Sequence, residues 1–222
     1  MRSAIKNTAV LIAAIFSLVS LSACGGGGGG GGTSPPPSVS GVAATGAAIN
    51  GGSISLRDAA GNTKTATTDS SGNYSVDITG LTGPFLLRVH PAAGADLFTY
   101  ASGNGIANIH PFTDLIVRNW VASSGYDNTD ARFAQTGTIT LPTSSQIDAV
   151  IDNLTHLLLN QLVAAGINPT NFDFLTTSFT PGSHSLFDNV LDTVKVIISA
   201  GSVTINVNGS PIASFSLNAP PP

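Results

Sequence analysis

Eight consecutive glycines at residues 25–32 set the strongest limit on what this chain of 222 residues can fold into. Glycine loses more backbone freedom on ordering than any other residue, and a glycine-rich segment behaves as a flexible coil. The next six residues, Thr-Ser-Pro-Pro-Pro-Ser, extend the same linker with a stiffer part. The sequence therefore predicts a tether at residues 24–38, with the folded part beginning at about residue 39.

The segment before the glycines has the three parts of a secretory signal. Arg2 and Lys6 form a basic start, residues 10–19 are mostly apolar, and small residues precede Cys24. A transmembrane helix needs about 20 apolar residues, whereas this run is shorter and contains serine. The pattern predicts a signal peptide at residues 1–23.

Residues 21–24, Leu-Ser-Ala-Cys, resemble the lipobox of bacterial lipoproteins. The resemblance implies that the Cys24 thiol is diacylated, that the chain is cleaved before Cys24, and that the new amino group is acylated. Several acyl chains anchor a protein to a membrane stably, whereas one chain does so only marginally. Gly25 replaces the aspartate that implies inner-membrane retention, so the resemblance implies the outer membrane, in an organism that has one. The alternative is an ordinary secretory signal with an incidental cysteine.

The composition excludes several kinds of partner and site. Charged residues make up 9% of the chain, against about 25% in typical soluble domains. The 12 acidic residues are all aspartate, which favours turns over helix interiors. Because lysine and arginine form no cluster, nucleic acid is not an expected partner. The single cysteine leaves no pair for a disulfide or a thiolate zinc site.

The pattern of residues 39–90 predicts short strands separated by turns. Apolar and polar side chains alternate in residues 53–56, 73–78 and 85–90, which is typical of half-buried strands. Glycine, asparagine and aspartate between them favour turns. We expect a small sandwich whose core contains every second residue of these strands, namely Ile54, Leu56, Tyr74, Val76, Ile78, Phe85, Leu87 and Val89.

Residues 40–76 resemble the carboxypeptidase regulatory-like domain, a transthyretin-like β-sandwich. Residues 54–61, ISLRDAAG, correspond to the family's V-x-L-x-D-x-x-G, and residues 68–74, TDSSGNY, correspond to T-D-x-x-G-x-Y. The resemblance implies a sandwich for residues 39–100. It implies no catalytic activity, since such domains serve as spacers, adhesin stalks and binding modules.

Three helices are predicted after residue 100. The first begins at Pro111, a good first-turn residue, in a segment similar to the N-x-T-P-L-T helix entry of exported bacterial proteins, but with His110 in place of threonine. The second spans residues 144–165, with a capping box at its start and Gly166 as its C-cap. The third spans residues 186–194 and is capped by Ser185. Three sets of inward residues follow from the helical spacing: Phe112, Leu115, Ile116 and Asn119; Ile147, Val150, Ile151, Leu154, Leu157, Leu158, Leu162 and Val163; Phe187, Val190, Leu191 and Val194.

The end of the chain predicts a three-stranded meander at residues 194–199, 202–207 and 212–217, with an Asn208-Gly209 hairpin turn. The predicted fold class is therefore α+β: an N-terminal small antiparallel β-sandwich, a helical segment and a C-terminal antiparallel β-meander. The predicted domains are residues 39–100 and 101–222, and we expect residues 106–217 to pack as one unit because the helical stripes need cover.

No residue pattern predicts a catalytic, cofactor or metal site. The four histidines, His90, His110, His156 and His184, lack the mutual spacing of metal ligands. Asp152 and His156 are expected to form a surface pair. Residues 69–73 and 127–130 resemble calcium loops only slightly, and an Asx-type turn is expected at Asp69. Trp120, Tyr126 and Tyr100 are weak candidates for a ligand-binding surface, although tryptophan is usually largely buried.

The sequence favours a non-enzymatic exported lipoprotein, anchored to the membrane through Cys24, that acts as a structural or interaction module with an envelope protein or glycan as partner. A ligand- or carbohydrate-binding envelope protein is the first alternative, and it requires the three aromatic residues to be exposed together. A hydrolase is the second, and it requires a histidine within reach of both a serine and an aspartate. Which face of the outer membrane the protein occupies stays open.

Overall fold

The computed structural model describes residues 35–126 and 128–222, so the predicted signal peptide, Cys24 and most of the tether lie outside the described residues. Within the described part, strands occupy both ends and helices the middle. The elements are β1 (Ser38–Val42), β2 (Ser53–Asp58), β3 (Thr63–Thr67), β4 (Asn73–Asp77), β5 (Phe85–His90), β6 (Leu97–Ala101), β7 (Gly105–Ile106), α1 (Pro111–Ser123), α2 (Thr129–Ala134), α3 (Ser144–Leu157), α4 (Leu159–Ala164), a 3-10 turn (Pro169–Asn171), α5 (Leu186–Thr193), β8 (Val194–Ser199), β9 (Ser202–Val207) and β10 (Ser210–Ser216).

The first seven strands form two sheets. One has the order β3-β2-β5-β6 and is antiparallel throughout. The other has the order β4-β1-β7, in which β4 is antiparallel to β1 but β7 is parallel to it. The strands within the predicted sandwich, residues 39–100, pair in antiparallel fashion, and the parallel strand β7 lies beyond that predicted boundary. The chain changes sheets after β6, and it enters the second sheet running in the same direction as β1.

The two sheets share a core, which we call the sheet core. Its centre is formed by the predicted alternating residues, and Leu56, Leu87 and Val89 are completely buried there. The predicted register is confirmed for all eight residues of that set. Burial of alternate side chains explains this success, because a shift by one residue would turn every apolar group to the other face.

The four-stranded sheet is buried on its second face as well. The side chains of Leu86, Phe98 and Tyr100 project from the face opposite Leu87. They belong to a second cluster of buried residues, which we call the helical core. Phe98 is completely buried against α1 and α2 residues. The alternation rule did not single out Leu86, since that rule assumes a strand with one solvent-exposed face.

Helix α1 begins at the predicted Pro111, and the predicted inward residues Phe112, Leu115 and Ile116 are completely buried. The amide of Asn119 donates to the carbonyls of Leu217 and Ala219, at 2.7 and 2.6 Å. These two hydrogen bonds hold the segment after β10 against the middle of α1.

The predicted helix at residues 144–165 is two helices. Thr143 and Gln146 form the predicted capping box at the start of α3, but the chain bends at Leu158 before α4 begins. Leu158 and Leu162 are buried, whereas Val163 is 57% exposed. The single helix and the inward position of Val163 were therefore wrong predictions, because a heptad-like spacing does not reveal a local bend.

The predicted C-cap of this segment is confirmed. Gly166 has a positive φ of 80°, and its N–H donates to the carbonyl of Val163, while the N–H of Ile167 donates to that of Leu162. This pair of bonds is a Schellman motif, which needs a residue that tolerates the left-handed conformation.

Helix α5 lies where it was predicted, but its cap differs. Phe187, Val190 and Leu191 are buried as expected. Ser185 occupies the N-cap position without a side-chain hydrogen bond to the helix, so its predicted capping role is wrong. A carboxylate oxygen of Asp188 instead accepts the N–H of His184, just before the helix.

The last three strands form the predicted meander in the order β10-β9-β8. Asn208 and Gly209 both have positive φ, of 50° and 82°, as a type I′ hairpin turn requires. Val203 and Ile205 face the helical core and are completely buried. The α+β class is thus confirmed. Residues Pro35–Pro222 form one compact unit, and the domain boundary at residue 100 stays a prediction.

Candidate functional site

The three aromatic residues predicted as a ligand surface do not form an exposed group. Trp120 is 5% exposed and Tyr100 is 4% exposed, both within the helical core. Tyr126 is half-buried between the indole of Trp120, with ring centres 6.5 Å apart, and the guanidinium of Arg132, 4.0 Å from its ring centre. A sugar that stacks on an aromatic face needs that face open to solvent, and the buried rings of Trp120 and Tyr100 do not offer one.

A cavity of about 300 Å³ lies beside Trp120, between α1, α3 and Pro220 of the C-terminal segment. Its lining includes Asn119, Gln146 and Asn153. The indole N–H of Trp120 has no hydrogen-bond partner among the described residues. The exposed surface of the cavity is more apolar than polar, and none of its lining residues has an ionisable side chain.

The first loop with a slight resemblance to a calcium site is the expected Asx-type turn. Oδ1 of Asp69 accepts the N–H of Ser71 at 2.8 Å and the N–H of Asn73 at 2.9 Å. The side-chain amide of Asn73 also donates to both oxygens. These hydrogen bonds, led by that of the Asn73 side chain, lower the pKa of Asp69. The Asp69 carboxylate therefore stabilises the turn.

In the second such loop, residues 127–130, the described side chains cap a helix and form an ion pair. Asn128 caps α2, with its side chain accepting the N–H of Ala131. Asp130 lies 3.4 Å from the guanidinium of Arg118. Asp127, the remaining acidic residue of the loop, lies outside the described residues.

Arg118 is the centre of an ion-pair network on one side of α1. Its Nε donates to both oxygens of Asp114, at 2.9 and 2.8 Å, and its guanidinium also reaches the carbonyl of Asp96. Asp114 is 7% exposed and accepts the N–H of Phe98. Burial raises the pKa of Asp114 to about 6, and Arg118 opposes that rise. The network links α1 to β6 and to α2.

The four histidines occupy very different environments. The ring of His90 is hydrogen-bonded to Asp96 at 2.6 Å, and His156 is exposed on α3. His110 is completely buried at the start of α1, with ring contacts to Phe112, Phe179 and Phe187. Among the described residues, no histidine ring is hydrogen-bonded to both a serine and an aspartate, which is the geometry that the hydrolase alternative requires.

His110 is the N-cap of α1. Its Nδ1 accepts the N–H of Thr113 at 3.3 Å, so its Nε2 carries the proton and donates to the carbonyl of Phe174 at 2.8 Å. Burial lowers the pKa of His110 to about 3, although the bond to Phe174 opposes this. A neutral ring thus satisfies one donor and one acceptor that would otherwise be buried without partners. The histidine that replaces threonine in the helix-entry pattern is a structural residue.

His184, Asp188 and Asp192 form the one group of three metal-ligating residue types that the described residues bring together. One donor atom from each lies within 4.8 Å of the other two. Nδ1 of His184 is 2.6 Å from Oδ2 of Asp192, and this hydrogen bond and charge raise the pKa of His184. Asp188 is completely buried, and Oδ2 accepts the N–H of His184 at 2.7 Å.

No sequence pattern predicted this group. The histidine spacings that are typical of metal sites do not include His-x₃-Asp-x₃-Asp, the spacing of His184, Asp188 and Asp192. Residues four apart share a helix face, so the second and third residues could have been paired from the predicted helix. The position of His184 could not be predicted in this way, because it depends on the turn that precedes α5.

Comparisons with protein-family models, with curated proteins and with solved structures found no significant match to this chain. The two resemblances in residues 21–24 and 40–76 therefore stay predictions. None of the helices in the described part of the chain combines the length and the apolar character needed to cross a bilayer.

Proposed function

We propose that the chain is an exported lipoprotein, anchored through acyl chains on Cys24, whose residues 35–222 act outside the membrane as a structural or interaction module. The observation that carries the proposal is the order of features in the sequence: an apolar signal, Leu-Ser-Ala-Cys at residues 21–24, and then a tether of glycine and proline. A lipid anchor followed by a flexible linker positions a folded unit near a membrane surface. With Gly25 after the cysteine, the proposed location is the outer membrane.

The way the tether enters the folded part supports a role in withstanding mechanical force. The chain passes from the linker directly into β1, the central strand of its sheet, which pairs with β4 on one side and β7 on the other. A pull on the tether would act along β1 and load the hydrogen bonds on both sides together. A strand at the edge of a sheet would have only one such row.

We further propose that residues 39–100 are a transthyretin-like sandwich of the carboxypeptidase regulatory-like type. The support is the shared sheet core and the alternation in β2, β4 and β5. The parallel pairing of β7 with β1 is an addition to the expected antiparallel arrangement. Domains of this type act as spacers and binding modules, which fits a tethered module.

Both alternatives have less support. The carbohydrate-binding alternative required Trp120, Tyr126 and Tyr100 to be exposed together, and two of the three are buried. The hydrolase alternative required a serine, histidine and aspartate in mutual reach, and the hydrogen bonds of the described histidines join no such trio.

Metabolic labelling with a palmitate analogue tests the anchor. We expect the wild-type protein to be labelled and to separate with membranes. Cys24→Ala should be unlabelled and keep its signal peptide, because no thiol remains at the site of acylation.

The matched control is the double variant Cys24→Ala, Ser34→Cys. It keeps one thiol in the linker but moves that thiol away from the lipobox, so it too should be unlabelled. An unlabelled wild type, or equal labelling of the wild type and the double variant, would contradict the proposal.

A further inference from the structure

We propose that His184, Asp188 and Asp192 form a zinc-binding site at the start of α5. This site is independent of the proposed membrane anchor. It rests on three observations: the convergence of three donor atoms, a fully buried carboxylate with an unpartnered oxygen, and an approach that is open to solvent on one side.

The convergence depends on a turn in the backbone. Eight residues of continuous helix extend about 12 Å, so His184 could not reach Asp192 if the helix began earlier. His184 and Leu186 instead have positive φ values of 53° and 50°, which few residues other than glycine adopt. This turn brings the imidazole back beside the second turn of α5, where Nδ1 lies 2.6 Å from Oδ2 of Asp192.

The donor atoms are close to the spacing that a metal ion needs. Zinc binds nitrogen and oxygen ligands at about 2.0–2.2 Å, so two donors on one ion are at most about 4.4 Å apart. The three donor atoms here lie within 4.8 Å of one another. To bind the ion, the widest pair must close by a few tenths of an ångström or more, and the His184–Asp192 pair must open from 2.6 Å toward the roughly 3.4 Å between donors on a tetrahedral zinc ion. The exposed His184 side chain can rotate to allow this, and the ion would replace the proton between the two groups.

Asp188 supplies the observation that points to a cation. Its side chain is completely buried. Oδ2 accepts the N–H of His184 and lies 3.4 Å from the hydroxyl of Ser183, but Oδ1 has no hydrogen-bond partner among the described residues. No lysine or arginine of the described residues forms an ion pair with it. Burial of a carboxylate is costly unless a cation or hydrogen bonds compensate it, and a bound divalent ion would do so.

The chemistry of the three donors selects the ion. Imidazole suits zinc and its neighbours in the first transition row, whereas calcium prefers six to eight oxygen ligands. Two carboxylates and a neutral imidazole balance the charge of a divalent ion. The side chain of His184 is 77% exposed and that of Asp192 is 28% exposed, so the ion can enter from solvent and keep water as a further ligand.

Calorimetric titration of the purified full chain with zinc, after removal of metal by a chelator, tests the site. We expect one zinc ion per chain. His184→Gln and Asp192→Asn should each weaken zinc binding at least tenfold, because each removes one ligand. Both residues lie toward solvent, and circular dichroism should show that both variants stay folded.

His90→Gln is the matched control. His90 and Asp96 form a hydrogen-bonded pair with the same 2.6 Å distance, but Arg88 takes the place of the third ligand at 3.2 Å from Asp96. This variant should bind zinc within twofold of the wild type.

The proposal is overturned if the wild type shows no saturable binding of one zinc ion, or if His184→Gln and Asp192→Asn bind zinc as the wild type does. Zinc held by the Cys24 thiol would give the second result. Calcium that binds with equal affinity, and with the same dependence on His184, would overturn the assignment to zinc.

Discussion

Helices α1 and α5 both begin beside a histidine, and the two histidines have opposite surroundings. His110 is completely buried at the start of α1, whereas the side chain of His184 is 77% exposed before α5. Burial lowers the pKa of His110 to about 3, while Asp192 raises the pKa of His184. The two helix starts also touch, because the ring of His110 lies 5.0 Å from that of Phe187 in α5.

The difference shows that one residue type serves two purposes according to what surrounds it. The ring of His110 meets a backbone N–H and a carbonyl, so it completes the hydrogen bonding of the helical core. The ring of His184 meets carboxylates and solvent, so it is available to bind a cation. Two predictions test this contrast and a third tests how α5 begins, from the largest expected effect to the smallest.

The first prediction compares His110→Ala with His184→Ala by urea denaturation. His110→Ala removes the cap of α1, which costs about 0.5–2 kcal/mol, and leaves the buried carbonyl of Phe174 without a donor, which costs about 1–3 kcal/mol. We expect a total loss of about 1.5–5 kcal/mol. His184→Ala in metal-free buffer should change stability little, and a comparable loss there would break the contrast.

The second prediction concerns pH. Free histidine has a pKa of about 6.5, and the pKa of buried His110 is about 3. Between these values the unfolded chain binds a proton that the folded chain does not. The stability from the neutral ring is therefore complete above pH 6.5 and is lost as the pH falls toward 3.

The measurement is the free energy of unfolding of the wild type and of His110→Asn at several pH values. The advantage of the wild type should shrink by up to about 1.4 kcal/mol per pH unit below pH 6.5. Asp114, whose pKa is raised to about 6, acts in the opposite direction, but it is present in both proteins and cancels. Thr113→Val disturbs the same helix start and keeps His110, so its difference from the wild type should not vary with pH. A constant difference for His110→Asn would show that the ring is not held neutral.

The third prediction separates the N-cap positions of α3 and α5. The hydroxyl of Thr143 accepts the N–H of Gln146, whereas Ser185 makes no such bond. Thr143→Ala should cost about 1 kcal/mol, and Ser185→Ala should change stability by less than about 0.5 kcal/mol. Equal losses in thermal or urea unfolding would mean that Ser185 caps α5 after all.

Much of the fold could be predicted because local patterns determine it. The alternation around Leu56 and Val76, the capping box at Thr143 and the Asn208-Gly209 turn each depend on neighbours within a few residues, and each is present as predicted. Features that depend on distant contacts were missed. The burial of Leu86 requires α1 to cover the second face of the sheet, and the exposure of Val163 depends on which face of α4 packs against the helical core.

The candidate zinc site shows the same limit. The spacing of Asp188 and Asp192 can be read from the predicted helix, but nothing in the residue types places His184 beside them. That position follows from the left-handed turn at His184 and Leu186. The aromatic residues Trp120 and Tyr100 were predicted as an exposed ligand surface but are buried. The sequence does not indicate which helix and sheet cover them.

The sequence by itself determined the alternating strands and the apolar stripes of the helices, and it predicts the glycine tether after Cys24. These features depend on the conformational freedom of glycine and on the periods of strand and helix, which are properties of the local chain. The tertiary structure alone decided that His110 is a neutral cap and that His184 faces two carboxylates. The role of a titratable group depends on its solvation and on the polar groups around it. For His110, distant segments of the chain supply both: the carbonyl of Phe174, which accepts the hydrogen bond from Nε2, lies 64 residues away.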